Sequence, residues 1–251
     1  MKTETHTTHN TPHHSTSTQK PNPDSGKVVL LTGGYSKKDR NATTHTAEIF
    51  LPEYPSQPCI LPDLPAPYYQ HTQDGGLICG GAQTQYTCRQ WNSTEGNFPY
   101  EPVHKFKPGR YVHVSWTPVY EKETFLVGGQ GTVARNSSTV VKPGVLWGSN
   151  GFPKGLKYPL GGACSIPDPD TDTVIITGGN YSPYPPAPSP PLYRATSVYN
   201  EKGWVEDLGN LNHPRRYHGC TSYIANKKRV KRYCLSYNCF YVFMLSFRSL
   251  L

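Results

Sequence analysis

Four times the chain runs a short apolar or β-branched stretch into two adjacent glycines: VVLLTGG at 28–34, GLICGG at 76–81, TFLVGG at 124–129 and TVIITGG at 173–179. The first glycines of these pairs, Gly33, Gly80, Gly128 and Gly178, lie 47, 48 and 50 residues apart. A period of this size is the mark of a propeller or a related repeat array. A strand that stops on two glycines stops where backbones crowd, because glycine has no Cβ and takes positive φ readily. The second glycines, Gly34, Gly81, Gly129 and Gly179, are expected to share that role.

Other features keep the same phase. Pro67-Tyr68-x-x-His71, Pro108-x-Arg110-x-x-His113 and Pro214-Arg215-x-x-His218 each lead into a new unit, whereas the copy at Pro159-Leu160-Gly161-Gly162-Ala163-Cys164 has lost both Arg and His. Within the most complete unit, GACSI, TVIITGG, TSVYN and WVEDL read as four short strands divided by turn residues such as PDPDTD. A repeated four-stranded antiparallel sheet is a propeller blade. Composition agrees: 23 Gly, 25 Pro and 18 Tyr suit short strands and tight turns. No long apolar stripe at helical spacing is present, so the expected class is all-β.

The double glycines, the Arg-x-x-His lead-ins, the tyrosine of SVYN and Trp204 together resemble the kelch-repeat β-propeller family over roughly residues 27–225. TAEIFLPE at 46–53 and LPDLPAP at 61–67 look like the third and fourth kelch strands of the first unit. The resemblance implies four-stranded blades and a fold that serves many functions. Kelch propellers generally close with about six or seven blades. Here about four are written, the first entering at its second strand, so an array that does not close is expected. Residues 1–26 read as a polar, disordered head, in which His6, His9, His13 and His14 belong to a solvated arm. Residues 226–251 read as a basic and then apolar tail outside the propeller frame.

Net charge is +8, but Lys227, Lys228, Arg229, Lys231 and Arg232 supply five of those charges in one run. The remaining +3 is ordinary, so no nucleic-acid partner is expected. The apolar stretch at 233–247 is broken by Ser236, Asn238 and Ser246 and falls short of the ~20 residues of a membrane span. The first twenty residues lack the apolar core of a signal peptide. Against that, Asn41, Asn92, Asn136 and Asn180 head N-x-[ST] sequons in predicted loops or just after strands, and are candidate N-glycosylation sites that lean extracellular. The compartment stays open.

His71, His113 and His218 recur at equivalent positions, and with Tyr69, Tyr111 and Tyr217 they invite comparison with secreted galactose-oxidase-like propellers, which hold copper near the axis. A residue written in every blade serves packing, however. Structural hydrogen bonding is the expectation, and no catalytic residue, metal or cofactor is assigned. Cys79 and Cys88 flank one strand-to-strand turn and form the expected disulfide in an oxidising compartment, with Cys59 as a competitor for Cys88. Cys164 and Cys220, on neighbouring blades, are expected to be small packing residues. Asp168-x-Asp170-x-Asp172 lacks the glycine and distal glutamate of a calcium loop and reads as a solvated turn.

The expected function is therefore a protein-binding module of unknown partner, using the loops after the glycine pairs at 35–40, 83–86, 130–135 and 181–193. The last of these carries the proline-rich YSPYPPAPSPPLYR. The alternative is a secreted enzyme or carbohydrate-binding propeller with an axial metal.

Overall fold

The computed structural model describes residues 27–36, 42–50, 59–118, 121–131, 136–153, 155–168, 170–180, 192–225, 228–232 and 244–246. Among them no helix occurs. The first sheet holds β1 (Lys27–Thr32), β4 (Ala47–Phe50) and β5 (Cys59–Leu61), while β2 (Tyr35–Ser36) and β3 (Ala42–Thr43) make a small ribbon beyond the first glycine pair. The second runs β6 (Thr72–Asp74), β7 (Leu77–Cys79), β8 (Thr87–Gln90), β9 (His104–Lys105). The third runs β10 (Val114–Trp116), β11 (Thr124–Val127), β12 (Ser138–Val141), β13 (Ser149–Asn150). The fourth runs β14 (Cys164–Asp168), β15 (Thr173–Thr177), β16 (Ala195–Asn200), β17 (Gly203–Asn210). All neighbours pair antiparallel, which gives a propeller of about four four-stranded blades.

The tail departs from expectation. β18 (Thr221–Ala225) pairs with β19 (Lys228–Arg232) as the start of a fifth unit, and β20 (Met244–Ser246) pairs antiparallel with β1 through Lys27↔Ser246 and Val29↔Met244. The expectation that residues 226–251 leave the frame is corrected at these two strands. The physical reason is the free edge of β1, whose N–H and C=O groups need partners. The fourth strand of the first unit also shifts, from LPDLPAP to Cys59–Leu61. Pro62, Pro65 and Pro67 have no N–H to donate to a ladder.

In the second and third blades the second strand is sandwiched between two neighbours, which explains why it is apolar without alternation. Along β11, Phe125 and Val127 face β15 residues Val174 and Ile176 of the fourth blade, while Leu126 packs with Leu77, Cys79 and Phe106 of the second. Along β7, Ile78 turns back onto Leu30 and Tyr68. Successive side chains point to opposite faces, and here both faces are core. Trp116, Phe125, Phe152 and Tyr199 carry the packing from the third blade into the fourth, with ring centroids 5.3, 5.4 and 5.6 Å apart. Each such buried side chain contributes about 2 kcal/mol of transfer free energy. At the rim, β9 is covered by the β12–β13 turn of the next blade: Lys105 N–H donates to Leu146 O and Gly148 N–H to Lys105 O.

Cys79 and Cys88 sit directly opposite in the β7–β8 register and are joined as a disulfide, with Cα atoms 4.1 Å apart. A second disulfide joins Cys164 to Cys220, whose Cα atoms are 6.0 Å apart. The reading of this pair as packing residues is thus corrected: equal repeat positions on neighbouring inner strands fall within disulfide reach. Cys59 is exposed and unpaired.

Candidate functional site

Because the strands alternate in direction, the segments that lead into each blade and the turns after each glycine pair lie at the same end of the sheets. That end is built by contacts between blades. The second glycine of each pair donates its N–H to the next lead-in: Gly34 to Tyr68 O (2.7 Å), Gly81 to Arg110 O (3.0 Å), Gly129 to Leu160 O and Gly179 to Arg215 O (2.7 Å). The first glycine provides the room. A Cβ on Gly33, Gly80, Gly128 or Gly178 would stand 2.1, 2.5, 2.4 or 2.6 Å from that same carbonyl oxygen, and φ there is +60 to +68°. Side chains cannot occupy such a place.

Nearer the axis a second set of bonds steps from blade to blade. Val112 N–H donates to Gln70 O, Gly162 N–H to Val112 O and Tyr217 N–H to Gly162 O, at 2.8, 2.8 and 2.7 Å. These four residues occupy the same repeat position, one before the histidines or Ala163, and all have positive φ: 57, 48, 65 and 52°. For a β-branched residue such as Val112 this is strained, and surrounding structure must hold it. The tangential hydrogen bonds do so, with Val112 buried. Only Gly162 hints at this conformation in the sequence.

The lead-in arginine is a structural cation. Arg110 is fully buried and donates to Gly128 O, Ser137 O, Ser137 Oγ and Thr139 Oγ1, all from β12 and the β11–β12 turn. In the second blade the same space is filled in reverse. Tyr68 replaces the arginine, and Arg89 of β8, at the position of Thr139, donates to the Tyr68 hydroxyl and to Tyr100 O. In the fourth blade Leu160 makes the site apolar.

The repeated histidines bridge blades. His71 Nε2 meets Thr32 Oγ1, and His113 Nε2 meets Thr72 Oγ1, both at 2.8 Å. His113 and His218 rest their Cε1 atoms against Gly80 and Gly178. Burial lowers His71 and His218 to about 4, aided at His218 by Arg215. Burial, then Arg110 and His71, lowers His113 to about 3. Neutral imidazoles wedged between blades do not form a joint ligand set: among the described residues no three His, Cys, Asp or Glu side chains group to hold a metal ion. Asp168 is buried at the end of β14 and its Oδ1 accepts the Asp170 N–H, so the reading of a solvated turn is corrected at Asp168, while Asp170 and Asp172 lie in the turn to β15.

The sequons divide. Asn136 is exposed, and Asn92 is half-buried with its Oδ1 accepting the N–H groups of Thr94 and Glu95. Asn180 is 1 % exposed, at the sandwiched end of the second strand, so its reading as a glycan acceptor is corrected. Asn41 lies outside the described residues.

Of the loops expected to bind, only 83–86 is described throughout; 37–40, 132–135 and 181–191 lie outside the described residues. Tyr86 is 48 % exposed and packs its ring against Gly109, where a Cβ would meet it at 2.6 Å. Arg110 N–H to Gln85 O pins this loop to the third blade's lead-in, and Phe106 N–H to Tyr86 O ties it to the residue after β9 of its own blade. Tyr217, 40 % exposed, covers Gly162 in the same way. Sequence reasoning missed these tyrosine-on-glycine contacts, for which Gly109 and Gly162 were the available signal.

No family model matches the chain, and no curated protein matches it in sequence. In structure it is similar to YjhT, a kelch-type propeller protein, with a TM-score of 0.60 at 11% identity over 82% of this chain and 77% of that one. That likeness carries the propeller fold.

Proposed function

We propose that the chain is a protein-binding scaffold without a catalytic role of its own, and that it grips its partner at the lead-in end of the blades. The observation behind this reading is the pair of exposed aromatic rings, Tyr86 and Tyr217, each laid on a glycine of the neighbouring lead-in. Both stand on backbone held by hydrogen bonds between blades. Rigid aromatic side chains lose little entropy on contact and serve as interface anchors. Loops presented on a propeller frame supply the surrounding specificity.

The test is a photo-crosslinking amino acid placed at position 86, 217 or 100. Tyr100 is 75 % exposed but lies in the β8–β9 connection at the other end. In the protein's native cells, discrete adducts from positions 86 and 217 with none from 100 support the reading. Adducts from position 100 alone, or from none, refute it.

A further inference from the structure

In the third blade the lead-in arginine disappears into the sheet because β12, the third strand, brings Thr139, and the turn before it Ser137, to receive it. Arg215 holds the same repeat position at the start of the fifth unit. Its backbone is placed as expected, with Arg215 O accepting the Gly179 N–H. Among the described residues, however, that unit consists of β18 and β19 alone, and no third strand receives the guanidinium. Arg215 stays half-exposed, with no side-chain hydrogen bond or ion pair among the described residues.

Two more arginines lie on the same pair of hydrogen-bonded segments. Arg194, just before β16, is exposed and tied to the fifth lead-in: Leu211 N–H donates to Arg194 O, Arg194 Nε donates to Leu211 O, and Arg215 N–H reaches Tyr193 O at 3.3 Å. Arg216 is exposed, its guanidinium 5.3 Å from the centre of the Tyr217 ring. The ion pairs among the described residues join Lys142–Glu123, Lys157–Asp207 and Lys202–Glu201, none at this cluster. Acid gathers at the opposite end of the blades instead. There the Glu121 carboxyl is raised by desolvation and then by Glu123, Glu201 and Asp172.

We infer that Arg194, Arg215 and Arg216 form a docking site for an acidic, carboxylate-bearing segment of the partner protein. Guanidinium forks match carboxylates two bonds at a time, and three heads on two tied segments suit successive side chains of an extended acidic peptide. This rests on the scaffold reading and adds the partner's chemistry to it.

The probe is a short fluorescein-labelled polyglutamate peptide, read by anisotropy beside its polyglutamine counterpart and a short poly-dT strand. Inorganic phosphate serves as the competitor. Polyglutamate is expected to bind, polyglutamine not, and added salt to weaken the binding. Arg215→Ala and Arg216→Ala should each weaken it about tenfold, Arg215→Lys by less, and Lys202→Ala not at all. All four variants should keep the wild-type melting curve, since Arg216 and Lys202 are exposed and the half-exposed Arg215 makes no side-chain hydrogen bond among the described residues. Absence of polyglutamate binding, equal loss in Lys202→Ala, tighter binding of poly-dT, or displacement by phosphate as readily as by polyglutamate would each overturn the inference. Crosslinks at 86 and 217 that survive the Arg215→Ala/Arg216→Ala double variant would also overturn it, while leaving the scaffold reading intact. Failure of those crosslinks in the wild-type chain removes the scaffold reading instead.

Discussion

Replacing Gly80 by alanine separates two costs that the glycine pairs combine. Gly80 has φ +64° and a Cβ there would lie 2.5 Å from Arg110 O and 2.6 Å from His113 Cε1. Gly96, in the same blade, has φ +67° with nothing within 4 Å. Gly96→Ala therefore meets only the left-handed backbone penalty of about 1–2 kcal/mol, less roughly 0.5 kcal/mol from the stiffened unfolded chain. The expected loss is about 1 kcal/mol. Gly80→Ala meets the same penalty and must also push back the next blade's lead-in. Overpacking adds about 1–2 kcal/mol, and weakening the Gly81 N–H bond to Arg110 O adds about 1 kcal/mol. The total is about 3–4 kcal/mol, so the two variants should differ by roughly 5–10 °C in Tm. Urea unfolding followed by tryptophan fluorescence measures both. Equal losses in the two variants would refute the claim that close approach between blades, rather than φ alone, demands the glycine.

Arg110→Met should cost about 3 kcal/mol, because it orphans buried acceptors at Gly128 and Ser137; chemical denaturation checks it. Tyr68→Phe should cost about 2 kcal/mol, and a double-mutant cycle with Arg89→Met should show a coupling of about 1 kcal/mol or more. A coupling near zero would show that the reversed pair is accidental. Reduction of Cys164–Cys220, which closes a separation of 56 residues, should destabilise by about 4 kcal/mol, against about 2.5 kcal/mol for Cys79–Cys88 with a separation of 9. Paired Cys→Ser variants compared in calorimetry test the order. Acid should also weaken the fold. The folded-state pKa of His113 lies near 3, below its unfolded value of about 6.5, so the unfolded chain alone takes up the proton as pH falls between those values. Stability is unaffected above pH ~6.5 and falls by up to about 1.4 kcal/mol per pH unit from this residue until about pH 3. Burial raises Asp74, which opposes part of this loss as its carboxyl protonates. His113→Gln, read across that window in urea, should flatten the slope.

The glycine pairs were legible because their requirement is written in residue type: only glycine tolerates both the φ and the carbonyl placed on it. The apolar runs before them were legible for a related reason, since a strand sandwiched between blades has no polar face. What depends on register was hidden. Tyr68 looked like a plain departure from arginine, and nothing local showed that Arg89, 21 residues on, fills the same space from the other side. The positive φ at Gln70, Val112 and Tyr217 left no residue signal outside Gly162. Asn180 satisfied a sequon motif that carries no information about burial. β20 pairs with β1 across almost the whole chain, and a three-residue strand has too little pattern to announce a partner. The arginine cluster was invisible because it follows from the fifth unit having no third strand among the described residues rather than from any motif.

Blades locked to one another at the lead-in end are the central requirement, since only a rigid frame holds Tyr86, Tyr217 and the arginines in fixed relation. Amide hydrogen exchange of Gly81, Val112, Gly129, Gly162, Gly179 and Tyr217, whose N–H groups all cross between blades, measures this most directly. These six amides should exchange together, at the slow rate of the β7, β11 and β15 amides. Fast or unrelated exchange at these positions, with the strands still protected, would show blades that move independently and would contradict that requirement.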